Sequence, residues 1–301
     1  MTRRVFSGVN IVKFQHPFDQ KALANLNKMP GLPLLLKKVN EYGIDRLLRM
    51  QIIGGEFRVT PQNFPKLDDA FTESCQILDL TPKPELYLFR GTGHIQTNAV
   101  GVEKPMVSAN LEAMEWYSHD ELLFAFGCEI ARIKGKYIAY QQMANVMPLL
   151  KNVINSTTFG LGGLAAGGIE IALANWMIMS KFTGDRVGLL ACQDINIAIT
   201  ALMKLAGLPS EYLNAETIAD FQAQAREFST ISLDNLDQIT KILSFMEYRF
   251  PWSVMRACEL LKWVDSGEYD KLMQAENLEQ IENFAEPPAT DSEDWQFMSS
   301  W

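Results

Sequence analysis

The chain of 301 residues is 48% hydrophobic and 21% charged, a balance that excludes a disordered or fibrous protein and allows one large domain or two small ones. Its formal net charge of -9 argues against a nucleic-acid groove, which needs a clustered excess of Lys and Arg, so no nucleic-acid partner is expected. The four cysteines, Cys75, Cys128, Cys192 and Cys258, form no CxxC pair, which points to reduced thiols in the cytoplasm rather than a disulfide framework.

Arg3 and Arg4 precede a segment interrupted by Ser7, Gly8, Asn10, Lys13 and Gln15, which offers no apolar signal-peptide core. From residue 19 to 51 apolar residues recur at helical spacing, and Pro30, Gly31 and Pro33 divide the stretch into short helices. Residues 67–80 read as a further helix. Over 82–110 the grain changes to short apolar runs at 86–89, 95–100 and 105–108, separated by Gly91, Gly93, Gly101 and Pro105, the pattern of a small sheet.

Ser118 and Glu121 match a capping box, so a helix is expected to start there and, by its apolar stripe of Leu123, Phe126, Ile130, Ile133, Tyr137 and Tyr140, to run to about residue 147. Further helices are expected over about 168–182, 186–205, 215–228, 236–245 and 252–264. Residues 158–179 have roughly the ~20-residue length of a membrane span. Their glycines and Glu170 weigh against one, and a buried or subunit-facing helix is expected instead, with self-association as one use for it. The whole predicts one mostly helical α+β domain over 1–284: a helical part at 1–81, the sheet at 82–110, the long helix at 118–147 and a helical remainder at 148–284. An acidic tail at 285–301 carries Asp291, Glu293 and Asp294 beside Trp295, Phe297 and Trp301, a composition suited to docking on a folded body.

The expected long helix contains Gly127-Cys128-Glu129-Ile130-Ala131-Arg132, a C-E-x-x-R frame. In a zinc peptidase the H-E-x-x-H frame puts two imidazoles on one helical face with the glutamate as base. Around it stand His16-Pro17-Phe18-Asp19, Met29-Pro30-Gly31, Asn98-Ala99-Val100-Gly101, Lys104-Pro105-Met106-Val107, Asp120-Glu121-Leu122, Trp176, and Gly184-Asp185-Arg186-Val187-Gly188-Leu189-Leu190. Phe250-Pro251-Trp252, Arg256, Glu259-Leu260 and Trp263 close the series. In this order, over about residues 10 to 275, the chain resembles the soluble HtpX-like and CAAX-prenyl-protease-like zinc metallopeptidases.

That resemblance implies a zincin-like fold, a zinc cofactor and a substrate groove along the edge strand at Asn98, Ala99, Val100 and Gly101. It also puts the three metal-ligand positions on Cys128, Arg132 and Lys181, and the histidine of an H-P pair on Phe250. An arginine keeps its proton and a charged lysine is a poor ligand, so the degenerate set is expected to hold no zinc. Arg132 and Lys181 are expected to neutralise Glu129 in the metal's place. Of the remaining histidines, His16 and His119 lie away from this frame and His94 is the one loop residue near it.

The expected function is therefore a pseudopeptidase that binds a protein or peptide segment in the former groove by adding it to the edge strand. One alternative is an active metallopeptidase with Glu129 as general base, Asn98 and Arg256 as transition-state stabilisers and a metal on Cys128. Another is a structural subunit of an oligomer.

Overall fold

A computed structural model describes residues 3–8, 10–156, 163–230 and 252–275. The chain opens with a 3-10 turn at Ile11–Phe14 and three helices, α1 (Pro17–Asn27), α2 (Leu32–Glu41) and α3 (Ile44–Gly55). His16 caps α1, its Nδ1 accepting from the Phe18 amide at 3.2 Å, and Pro17 fills the first turn, where a missing N–H costs nothing. Then come β1 (Phe57–Arg58), α4 (Pro65–Ile77), β2 (Glu85–Phe89), β3 (Thr97–Val100) and β4 (Met106–Asn110). The remaining described elements are helical: α5 (Leu111–Trp116), α6 (His119–Lys134), α7 (Ile138–Ser156), α8 (Gly163–Cys192), α9 (Ile195–Leu205), α10 (Ala215–Phe228), α11 (Ser253–Asp265) and α12 (Glu268–Gln274). This is the mostly helical α+β fold with one small sheet that the sequence predicts.

The sheet is mixed, with order β1-β2-β4-β3. β2 and β4 run parallel at the centre, and β1 and β3 pair antiparallel as the two edges. β1 lies between the helices expected over 19–51 and 67–80, in the part of the chain where no strand is expected. Two residues carry no alternation signal, and the strand exists only because β2 pairs with it.

Two helix boundaries also differ from expectation. The predicted helix over 118–147 is two helices: α6 ends at Gly135, and Lys136 takes a left-handed φ of 58° before α7 begins. The break is a Schellman cap, in which the Lys136 amide donates to the Ile133 carbonyl at 3.1 Å and the Tyr137 amide to the Arg132 carbonyl at 2.9 Å, while the Tyr137 hydroxyl donates to Asp19 Oδ2 at 2.9 Å. The helices expected over 168–182 and 186–205 divide elsewhere: α8 runs through Gly184 to Cys192, and α9 begins at Ile195 after Gln193 takes a left-handed φ of 58° and Asp194 caps the new helix. Gly184 faces α6, and a Cβ there would meet Cys128 Cβ at an ordinary 3.6 Å, so this glycine neither breaks the helix nor is required by its packing. The helix expected over 236–245, Phe250-Pro251 and the tail at 285–301 lie outside the described residues.

Ser118 and Glu121 form both bonds of the capping box, which fixes the start of α6. α6 and α8 then cross at glycines. A Cβ on Gly127 would lie 2.8 Å from Gly188 Cα, and one on Gly188 would lie 2.7 Å from the Phe124 carbonyl oxygen. Only bare backbone allows this approach, and it sets the face of α6 bearing Cys128 against the turn of α8 bearing Asp185. From Gly163 on, the apolar stretch expected to be buried runs within α8, where Ile169, Leu173, Trp176, Ile178 and Met179 are buried. Among the described residues no helix is long and apolar enough to cross a membrane.

Candidate functional site

Beside the α6–α8 crossing lies a cavity of about 630 Å³. One wall is a face of α6 presenting Phe124, Cys128, Glu129 and Arg132, residues spaced so that their side chains share that face. The other walls include Thr97 at the start of β3, Lys181 on α8 and Arg256 on α11.

Glu129 is 2% exposed and forms the centre of the polar wall. A single guanidinium nitrogen of Arg132, Nη1, donates to both of its oxygens, at 3.0 Å to Oε1 and 2.9 Å to Oε2. The two residues are three apart on α6, the spacing at which helical side chains meet. The Thr97 hydroxyl adds a donor to Oε1 at 2.7 Å, tying the helix to the edge strand. Both oxygens that a general base would offer to water thus already accept from a fixed cation.

Cys128 Sγ lies 3.8 Å from Asp185 Oδ1, and burial together with that carboxylate pushes its thiol well above the ordinary range. Asp185 is instead the counterion of Arg256, which donates from Nε at 2.9 Å and from Nη2 at 2.5 Å. Burial works against the Arg256 charge, but Asp185 outweighs it and raises the guanidinium above its usual value. Lys181 shares the cavity with these two guanidiniums. Burial, then Arg256 and Arg132, bring its ammonium down to about 7.

The resemblance implies a zinc ion here, and the donors present do not fit one. The Arg132 guanidinium has no lone pair to give and is committed to Glu129, and Lys181 is a basic side chain in the same cavity as two guanidiniums, so Cys128 is left as the one ordinary zinc donor of the three where zinc needs three or four. Among the described residues no group of three or more His, Cys, Asp or Glu side chains is placed to hold a metal. His94 lines the cavity mouth on the loop before β3.

The candidate residues on β3 divide between two faces. Thr97 and Ala99 face α6, whereas the Asn98 amide oxygen accepts from Gln141 Nε2 of α7 at 2.8 Å, on the other side. Asn98, expected as a transition-state stabiliser, is therefore turned away from Glu129, and Thr97 stands in its place. Strand alternation makes the two readings mutually exclusive, and the sequence does not say which parity meets α6. Val100 packs with Ile52, Tyr87 and Met106, and Gly101 has φ 95°, where a Cβ would strike the Lys104 carbonyl oxygen.

Because Asn110 N–H donates to the Gln96 carbonyl at 3.1 Å, the antiparallel ladder makes Gln96 a bonded position and Thr97 and Ala99 outward ones. The backbone groups of Thr97 and Ala99 therefore point away from the sheet at its edge, beside the cavity. Tyr117 also lines the cavity and was not singled out by sequence; its hydroxyl donates to the Ala201 carbonyl at 2.9 Å.

The outlying motifs lock this arrangement together. Asp19 of the opening motif is buried and accepts from Trp176 Nε1 at 3.0 Å, the Thr183 hydroxyl at 2.5 Å and the Tyr137 hydroxyl at 2.9 Å. His16 Nε2 lies 3.1 Å from Glu259 Oε2 of α11, and burial draws its imidazole down to about 4. With Nδ1 accepting from Phe18, Nε2 must carry the hydrogen, so the ring is neutral and donates to Glu259. The Arg186 guanidinium sits 5.0 Å over the Trp263 ring. Segments distant in sequence, 16–19, 176–186 and 256–263, are thus bonded to one another around the α6 wall.

The sequence as a whole carries the same class signal. The chain is similar to a protein of Arabidopsis thaliana named plastoglobule-localized metallopeptidase 48, chloroplastic, with 25% identity over 274 residues, which is 91% of this chain and 78% of that relative. Over most of its length the chain is thus similar to a protein named a metallopeptidase. No family model matches the chain, and no solved structure gives a significant match.

Proposed function

We propose that this protein is a metallopeptidase homologue, of the HtpX-like kind, that has given up zinc-dependent hydrolysis and binds a protein or peptide segment in the former active-site groove. The observation that carries the reading is the Arg132 guanidinium seated on both oxygens of Glu129. A fixed cation supplies the charge that a metal would supply to that carboxylate, but it brings no open coordination position and polarises no bound water.

An extended peptide would add to β3 by main-chain bonds to Thr97 and Ala99, the mode that needs no metal, while one of its side chains enters the cavity. Thr97 then has two tasks, offering its backbone to the ligand and its hydroxyl to Glu129. The four cysteines are buried free thiols, which suits the reducing, cytoplasmic location that the reading assumes.

Three measurements test it together. Elemental analysis after dialysis should find well under one zinc per chain, and casein-like substrates should remain intact. Peptides selected from a random library should bind, and N-methylation of alternate backbone amides should abolish that binding. Stoichiometric zinc, with turnover lost on Glu129→Gln, would restore the active-peptidase alternative.

A further inference from the structure

β2 and β3 follow one another in the chain but are not neighbours in the sheet, so residues 90–96 must cross the end of β4, where the ladder stops. The crossing segment puts His94, Ile95 and Gln96 on the cavity wall and delivers Thr97 to the sheet edge. Its residues 91–94 are exposed and include two glycines, a composition with much backbone freedom to lose.

Two side chains at the junction of β4 and α5 supply bonds that the ladder does not. Glu112, 8% exposed, accepts at Oε1 from the Thr92 amide at 2.8 Å and the Gly93 amide at 2.5 Å. The carboxylate lies against Gly91, where a Cβ would stand 2.8 Å from Oε1. Asn110 is fully buried; its Oδ1 accepts from the Gln96 amide at 3.0 Å, and its Nδ2 donates to the His94 carbonyl at 2.7 Å and to Glu112 Oε2 at 2.6 Å. Burial opposes the Glu112 charge, but the backbone amides, Gly93 foremost, outweigh it and hold the carboxyl below its ordinary range. Neither Asn110 nor Glu112 is part of the cavity wall.

We propose that Asn110 and Glu112 are positioning residues for ligand docking: together they fix residues 92–96 across the end of β4, so that the outward backbone of Thr97 stands ready at the edge before a peptide arrives. The inference rests on the reading that a peptide adds to β3. The bonds from this pair fall on Thr92, Gly93, His94 and Gln96, immediately before the first docking residue. Were the crossing untethered, Thr97 would be presented only in the fraction of molecules whose loop lay in place, and apparent affinity would fall by that fraction. A residue that sets this fraction acts on the association rate, whereas one that touches the ligand acts mainly on dissociation.

The test is the association and dissociation rates of a library-selected peptide on the full chain. Glu112→Ala should slow association at least about tenfold and leave dissociation within about twofold, since each backbone residue set free costs about a factor of ten. Glu112→Gln keeps an oxygen for the Thr92 and Gly93 amides and should recover part of that loss, whereas Glu112→Met, of similar length but without an acceptor, should not. Hydrogen exchange on the wild type, which requires no variant to fold, should find the Thr92, Gly93 and Gln96 amides equally protected with and without peptide. Association at the wild-type rate in Glu112→Ala, a loss carried by dissociation, or protection that appears only with peptide would each overturn the inference and leave the groove reading standing. If no library peptide binds the wild type, the groove reading fails and this inference falls with it.

Discussion

Replacing Arg132 by Met isolates the interaction that defines the site. The substitution keeps an unbranched apolar stem but removes the donor to both oxygens of a carboxylate that is 2% exposed. Breaking a buried pair by deleting one partner costs about 3–5 kcal/mol. Two features reduce this. The Arg132 side chain is 23% exposed, so water can enter where it stood, and the Thr97 hydroxyl continues to donate to Oε1. A loss of about 2–3 kcal/mol is expected, which for a chain of this size lowers Tm by about 3 to 5 °C. The double variant Arg132→Met/Glu129→Gln removes the stranded charge and should recover at least half of the loss. Urea unfolding of the wild type, the two single variants and the double variant, followed by circular dichroism, measures the full cycle. A change of less than about 0.5 kcal/mol in Arg132→Met, or a double variant no more stable than that single one, would refute the idea that the arginine neutralises a buried carboxylate.

Other expectations follow from the same geometry. Asp185→Asn leaves the buried Arg256 without its counterion and should destabilise by about 3–5 kcal/mol in equilibrium denaturation, with Asp185→Asn/Arg256→Met costing less. Gly127→Val should lose at least about 3 kcal/mol or fail to fold, because its Cβ would meet backbone at 2.8 Å, whereas Gly184→Ala, with 3.6 Å to spare, should change the melting temperature little. His16 must stay neutral when folded, with its imidazole drawn from 6.5 down to about 4. Its contribution is therefore complete above pH 6.5 and is lost as pH falls through the window to about 4, roughly 3 kcal/mol at most. His16→Asn preserves the helix cap and should flatten the stability profile across that window, as read by denaturant midpoints at successive pH values.

Some of this protein was fixed locally and is therefore legible in the sequence. The start of α6 follows from Ser118 and Glu121, which satisfy each other's backbone within four residues, and the pairing of Glu129 with Arg132 follows from one turn of helix. The mostly helical α+β class follows from periodicities read over short windows, and the chemistry of the ligand positions follows from the residue types alone, since an arginine cannot give up its proton wherever it is placed.

Tertiary structure decided what depends on a neighbour distant in the chain. Whether Thr97 or Asn98 meets Glu129 is a question of strand parity, answered only when β3 packs between α6 and α7. Gly184 and Gly135 are the same residue type, but one lies in continuous helix and the other caps a helix end, where Lys136 makes the left-handed turn and the bare Gly135 leaves room for the Tyr137 ring. Asp185 was legible as part of a motif, but its role as the counterion of Arg256, 71 residues later, required the helices to be brought together. Charge, spacing and capping act over one or two turns of chain, whereas facing, burial and partnership are properties of the packed whole, and the site is built from the second kind.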